Sequence, residues 1–167
     1  MASSDVAEWR RTELKTMAEM AVYRYVSATE AYGDPAGIVI DTTWVDDSAK
    51  KKSRLCAREF NNSGPREDLF AGTPPLEAVR FLIHEAATVR SDEPMGSKVL
   101  MINDVSRAFF EAPATRNICI EIPKEDLSEA DVRHDKVGHL RMSLYGTRDA
   151  AMNWQEEVAK EMGKLGF

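Results

Sequence analysis

Lys98-Val99-Leu100-Met101-Ile102-Asn103-Asp104-Val105-Ser106-Arg107-Ala108-Phe109-Phe110 is the stretch on which the reading of this chain turns. It begins as an apolar, β-branched run of strand length and stops abruptly on a carboxylate. It then becomes a small-then-aromatic segment. Periodicity and composition predict a buried strand over its first part. A strand that delivers an Asp at its C-terminal end is one way to hold a metal ligand at a sheet edge. The same residues also fit a core strand followed by a surface Asp in a turn. What surrounds the stretch has to decide between the two.

The chain has 167 residues, enough for one domain with a core of its own. Its apolar and charged fractions, 43% and 30%, are those of a water-soluble globular domain. No apolar run approaches the roughly 20 residues that span a bilayer. The first ten residues lack the apolar segment of a signal peptide. A cytoplasmic or nuclear, non-secreted location is the expectation, with no membrane partner. Cys56 and Cys119 are the two cysteines and make neither a disulfide framework nor a zinc knuckle. The net charge of −6 disfavours nucleic-acid binding by the chain as a whole, because duplex affinity comes largely from phosphate neutralisation.

Working outward, Ala7–Met20 reads as an amphipathic helix on Trp9, Leu14, Met17 and Met20. Residues 21–26 and 38–45 read as strands, with a turn-rich stretch over 31–37 between them. Five basic residues then fall within nine positions, Lys50 to Arg58, in an otherwise acidic chain. Such runs are usually solvated faces, but Arg and Lys also suit triphosphate oxygens. A helix from Pro74 or Pro75 to about Val89 follows, with Thr73 as N-cap and a buried stripe of Leu76, Val79, Leu82, Ile83, Ala86 and Ala87. Residues 117–122 alternate as a half-buried strand. Residues 123–136 are acidic and read as solvated surface, without the ligand pattern of a calcium loop. A strand over 138–146 ends at Gly146. A final helix over 149–165 places Ala151, Trp154, Val158, Met162 and Leu165 on one face.

The chain contains no Gly-x-Ser-x-Gly elbow, Walker lysine loop or Gly-x-Gly-x-x-Gly turn. Four blocks in order resemble the reverse transcriptase domain of copia-type retrotransposon Pol polyproteins. The first is Trp44-Val45 with Lys52-Ser53-Arg54-Leu55-Cys56-Ala57-Arg58. The second is Phe70 to Arg80. The third is Asp104-Val105-Ser106-Arg107-Ala108-Phe109. The fourth is Leu144-Tyr145-Gly146-Thr147-Arg148-Asp149-Ala150-Ala151-Met152-Asn153-Trp154. Together they span about residues 40 to 167.

The resemblance implies an α+β fold of fingers and partial palm, a mixed or antiparallel sheet with packed helices, in one domain. Residues 1–40 would form an N-terminal helix and strand, 41–97 a fingers-like part and 98–167 a partial palm. It implies RNA-dependent DNA polymerisation by two-metal nucleotidyl transfer. Asp104 would be the catalytic carboxylate and a magnesium ligand, with the Val105 carbonyl completing part of the shell. Lys52 and Arg54 would grip the incoming triphosphate. Arg107 and Ala108 would offer it backbone amides, Phe109 would abut the sugar, and Tyr145 and Gly146 would line the pocket. The implied cofactor is Mg2+, as two ions in the intact domain. The implied partners are primer-template RNA or DNA, deoxynucleoside triphosphates and the remainder of the polyprotein.

The chain departs from the family pattern at Glu59, where the family has Gly. It departs again at Arg148-Asp149-Ala150-Ala151, where the family has Lys-Gln-Ala-Pro. No Asp-Asp pair follows Asp104, so the Tyr-x-Asp-Asp hairpin that supplies the family's other two metal carboxylates is absent from these 167 residues. The expectation is a fragment truncated before that hairpin and inactive alone. The alternative is a non-catalytic remnant of the same fold that binds nucleic acid or protein.

Overall fold

A computed structural model describes residues 3–35, 37–60, 72, 74–89, 94, 98–133 and 135–166. The architecture is α+β with mixed strand directions. It divides into two compact units, residues 1–70 with 107–167, and residues 71–106. Among the described residues no helix is long and apolar enough to cross a membrane.

In the first unit, α1 (Ser3–Glu19) precedes β1 (Tyr23–Ser27) and the short α2 (Ala28–Gly33). The turn-rich reading missed α2. Its start is set by Ser27, whose side chain accepts from the Glu30 N–H at 3.2 Å. The strand expected over 38–45 is two strands, β2 (Ile38–Ile40) and β3 (Thr42–Asp47), in different sheets. β3 pairs antiparallel with β4 (Lys52–Ala57). β2 joins a four-stranded sheet with β5 (Ile118–Ile120) and β6 (Lys136–Leu140), in the order β1-β6-β5-β2. The β2–β5 pair is parallel and the other two are antiparallel.

Side chains alternate across a strand, and β5 uses both faces. Ile118 and Ile120 join the main core with Leu14, Met17, Val22, Ile40, Leu55, Phe110, Leu140 and Leu144. Cys119 turns the other way, into a smaller cluster with Val26, Ala28, Ala31 and Val137. α1 closes the main core and packs on β4. Arg10 fastens its outer side. The guanidinium stacks 5.3 Å from the Trp44 ring and pairs with Asp46 and Glu125, each at 2.7 Å. The acidic segment 123–136 is therefore only partly solvated surface. Glu125 holds Arg10 and Trp44, and Asp126 accepts from the hydroxyls of Tyr23 and Tyr25. It also contains α4 (Glu129–Arg133).

The last helix, α5 (Ala150–Lys164), lies in the first unit too. The expected stripe is not its buried face. Ala150 and Asn153 are buried, whereas Val158 and Leu165 are exposed. Asn153 donates to Ser143 and Asp149, and the helix packs on the 3-10 turn Ala108–Glu111.

The second unit carries α3 (Leu76–Ala87), which begins after Pro75 with no side-chain cap bond among the described residues. Thr73, the expected cap, lies outside the described residues. None of the residues of α3 is buried, so the expected stripe is an apolar surface of this unit. Lys98 reaches back to α3, with Nζ 3.9 Å from Glu85 and donating to the Thr88 carbonyl at 3.3 Å. The strand expected over 98–103 is absent: residues 98–105 have no regular structure and Val99 and Ile102 are 88% and 85% exposed. A strand is a paired element, and an apolar β-branched run becomes one only when a neighbour takes its N–H and C=O groups. No ladder forms on this run among the described residues.

Candidate functional site

β4 builds one wall of the site. Its residues alternate, with Ser53, Leu55 and Ala57 buried and Lys52 and Arg54 exposed on the opposite face, where Cys56 is half-buried. The basic run thus splits by strand period. Its apolar members enter the core and its cations line an open face.

The opposing wall is the turn after β6. Leu144 is fully buried, and the Tyr145 carbonyl accepts from the Ala57 N–H at 2.7 Å. Gly146 follows with φ +84°, in the left-handed region. An added Cβ at that position would lie 3.0 Å from the Ala57 carbonyl carbon and closer still to its oxygen. Only glycine meets both the dihedral and the close approach.

The floor is the 3-10 turn Ala108–Glu111, entered through Arg107 at φ 54° and ψ 41°. Phe110 is buried. The Phe109 and Phe110 rings stand 5.1 and 5.4 Å from the Tyr145 ring, and the Arg54 guanidinium lies 5.7 Å above that ring. Burial raises the Tyr145 hydroxyl above its ordinary pKa, opposed by Arg54 and Arg107, so it is a neutral donor and acceptor at physiological pH. Burial likewise pushes the Cys56 thiol up.

Of the residues expected from sequence, Arg54, Phe109, Tyr145 and Gly146 converge here, with Arg107 and Ala108 beside them. Lys52 shares the open face of β4 two residues from Arg54. Asp104 and Val105 belong to the second unit, where both are exposed. Among the described residues no three His, Cys, Asp or Glu side chains form a set that would hold a metal ion.

Two residues of the site escaped the sequence reading. Glu13 of α1 is buried and takes both Nε and Nη2 of Arg107 on one carboxylate oxygen, at 3.1 and 3.0 Å. Its signal was present: with Trp9 and Met17 it follows an i, i+4 spacing, a carboxylate inside an apolar stripe. The second is Arg116, in the loop before β5. It makes a fork with Glu59 at 2.7 and 2.8 Å and reaches Asp149 at 2.6 Å. No motif contains it, so its role was invisible in sequence. Glu59 and Asp149, two positions where the chain departs from the resembled pattern, are thus joined through one cation. Its charge and hydrogen bonds hold both carboxyls below their ordinary pKa despite burial.

Compared with protein-family models, with curated proteins and with solved structures, the chain matches none.

Proposed function

We propose that this chain is the fingers and part of the palm of a copia-type reverse transcriptase, an RNA-dependent DNA polymerase of a Pol polyprotein. In this reading the site on β4 is its deoxynucleoside triphosphate pocket. One observation carries the reading. Arg54, Phe109, Tyr145 and Gly146 come from three blocks widely separated in sequence, and they gather into a single aromatic and cationic cluster. An aromatic floor under a guanidinium suits a ligand with a flat base or sugar at one end and phosphates at the other. Arg54 and Lys52 supply charge to the phosphates, and Phe109 and Tyr145 supply the apolar surface. The intact family domain would work on primer-template RNA or DNA with two magnesium ions. In this reading the 167 residues carry one of the family's three metal carboxylates, Asp104, so the chain binds nucleotide without transferring it.

Titration with dTTP tests this. The chain binds dTTP, and Arg54→Ala weakens binding about tenfold or more, the worth of a charge-assisted contact. Primer extension by the chain alone with magnesium or manganese yields no product. Absence of dTTP binding overturns the pocket, and measurable extension overturns the loss of transfer.

The second reading, a non-catalytic nucleic-acid-binding remnant, draws on Lys50, Lys51 and Lys52, all exposed at the tip of the β3–β4 hairpin. It predicts salt-dependent primer-template binding with no dTTP affinity.

A further inference from the structure

We propose that Arg116 is a positioning residue whose fork with Glu59 and Asp149 sets the geometry of the Leu144–Asp149 turn, and through it the placement of the Tyr145 ring. The three residues are far apart in sequence: Glu59 follows β4, Arg116 precedes β5 and Asp149 opens α5. Arg116 offers Nη1 and Nη2 to the two oxygens of Glu59, and Nη2 also to Asp149. The Glu59 oxygen that takes Nη2 also accepts the Arg148 backbone N–H at 2.8 Å, so the carboxylate grips the turn itself. On the turn's other flank, Asn153 donates to Ser143 Oγ at 3.0 Å and to Asp149 at 3.3 Å, and Thr115 donates to Asn153 at 3.0 Å. Residues just before and just after Leu144–Arg148 are therefore tied to one polar cluster. Between them the turn gives its Tyr145 carbonyl to Ala57 and its ring to Phe109 and Arg54.

The cluster is costly, which argues that geometry is what it provides. Asp149 and Asn153 are buried, and Arg116 Nε is buried with no hydrogen-bond partner among the described residues. A buried ion cluster seldom outperforms apolar packing in stability, and its best-attested use is to specify one arrangement among several. The arrangement also requires arginine. A planar fork bonds two oxygens of one carboxylate while reaching a second, whereas a lysine ammonium is a point charge without that fork.

Arg116→Lys and Arg116→Met test the proposal, read by amide hydrogen exchange and dTTP affinity. In the lysine variant, exchange at Ala57 and Arg148 accelerates about tenfold relative to amides of the β1–β6 pair, as expected for local opening. The affinity for dTTP falls about fivefold in parallel. A uniform change across all amides overturns the proposal, since Arg116 would then serve stability alone. So does unchanged exchange at Ala57 and Arg148, whatever dTTP does. Should the methionine variant fail to fold, the charge-preserving lysine variant still decides the matter. The affinity readout rests on the nucleotide-pocket reading, whereas the exchange readout does not. Local acceleration in a chain that binds no dTTP supports the positioning role and sinks only the pocket.

Discussion

Gly146→Ala is the substitution whose cost follows most directly from the structure. Three terms act together. At φ +84° an L side chain sits in the left-handed region, at about 1–2 kcal/mol. The new Cβ would run into the Ala57 carbonyl group, with its carbon only 3.0 Å away, and overpacking against backbone costs about 1–3 kcal/mol. Relieving that clash separates the turn from β4 and stretches the 2.7 Å bond from Ala57 N–H to the Tyr145 carbonyl, worth about 1 kcal/mol. The sum is about 3–6 kcal/mol, a large share of a domain's stability. Two other glycines separate the terms. Gly166 has φ +88° but open space, so Gly166→Ala pays for the dihedral alone, about 1 kcal/mol. Gly163 lies within α5 with open space and no positive φ, so Gly163→Ala stabilises by about 0.5–1 kcal/mol. Urea unfolding followed by circular dichroism gives all three values. The reasoning is refuted if Gly146→Ala costs no more than Gly166→Ala, because the close approach to Ala57 would then carry no weight.

Other outcomes follow from the same structure. Leu55 is fully buried where α1 packs on β4, so Leu55→Ala lowers the unfolding free energy by about 2–5 kcal/mol, seen as a lower urea midpoint at unchanged slope. Acid should weaken the protein through the Arg116 cluster. Glu59 and Asp149 have folded pKa values below their unfolded ones, so their contribution is full above the ordinary carboxylate range, about pH 4, and is lost as pH falls through the lower folded values. A pH series of melting temperatures shows this as a decline below about pH 4 that is shallower in Arg116→Met; an equally steep decline in both would exclude the cluster as its source.

Much of this protein was legible in its amino-acid order. Local patterns carried α1, β5, the body of α3 and the Tyr145-Gly146 turn, because helix and strand periods depend on neighbours a few residues away. The split of 38–45 into strands of two sheets was not legible. Both halves are rich in β-branched and aromatic residues, and their partners differ, β5 for one and β4 for the other. Residues 98–105 show the converse. They have the composition of a strand, but no ladder forms on them among the described residues.

The candidate site divides in the same way. The residue types of Arg54, Phe109, Tyr145 and Gly146 were readable, since a cation, two aromatics and a glycine keep their chemistry in any fold. Their convergence was decided by the packing of β4 against the turn after β6. Arg116 lay wholly beyond the sequence. A lone arginine in a loop carries no period and no motif, and its partners stand 57 and 33 positions away. Sequence by itself determined which groups this chain has to work with. Tertiary structure decided which of them meet, because ion pairs and ring contacts depend on distance in space and are indifferent to distance along the chain.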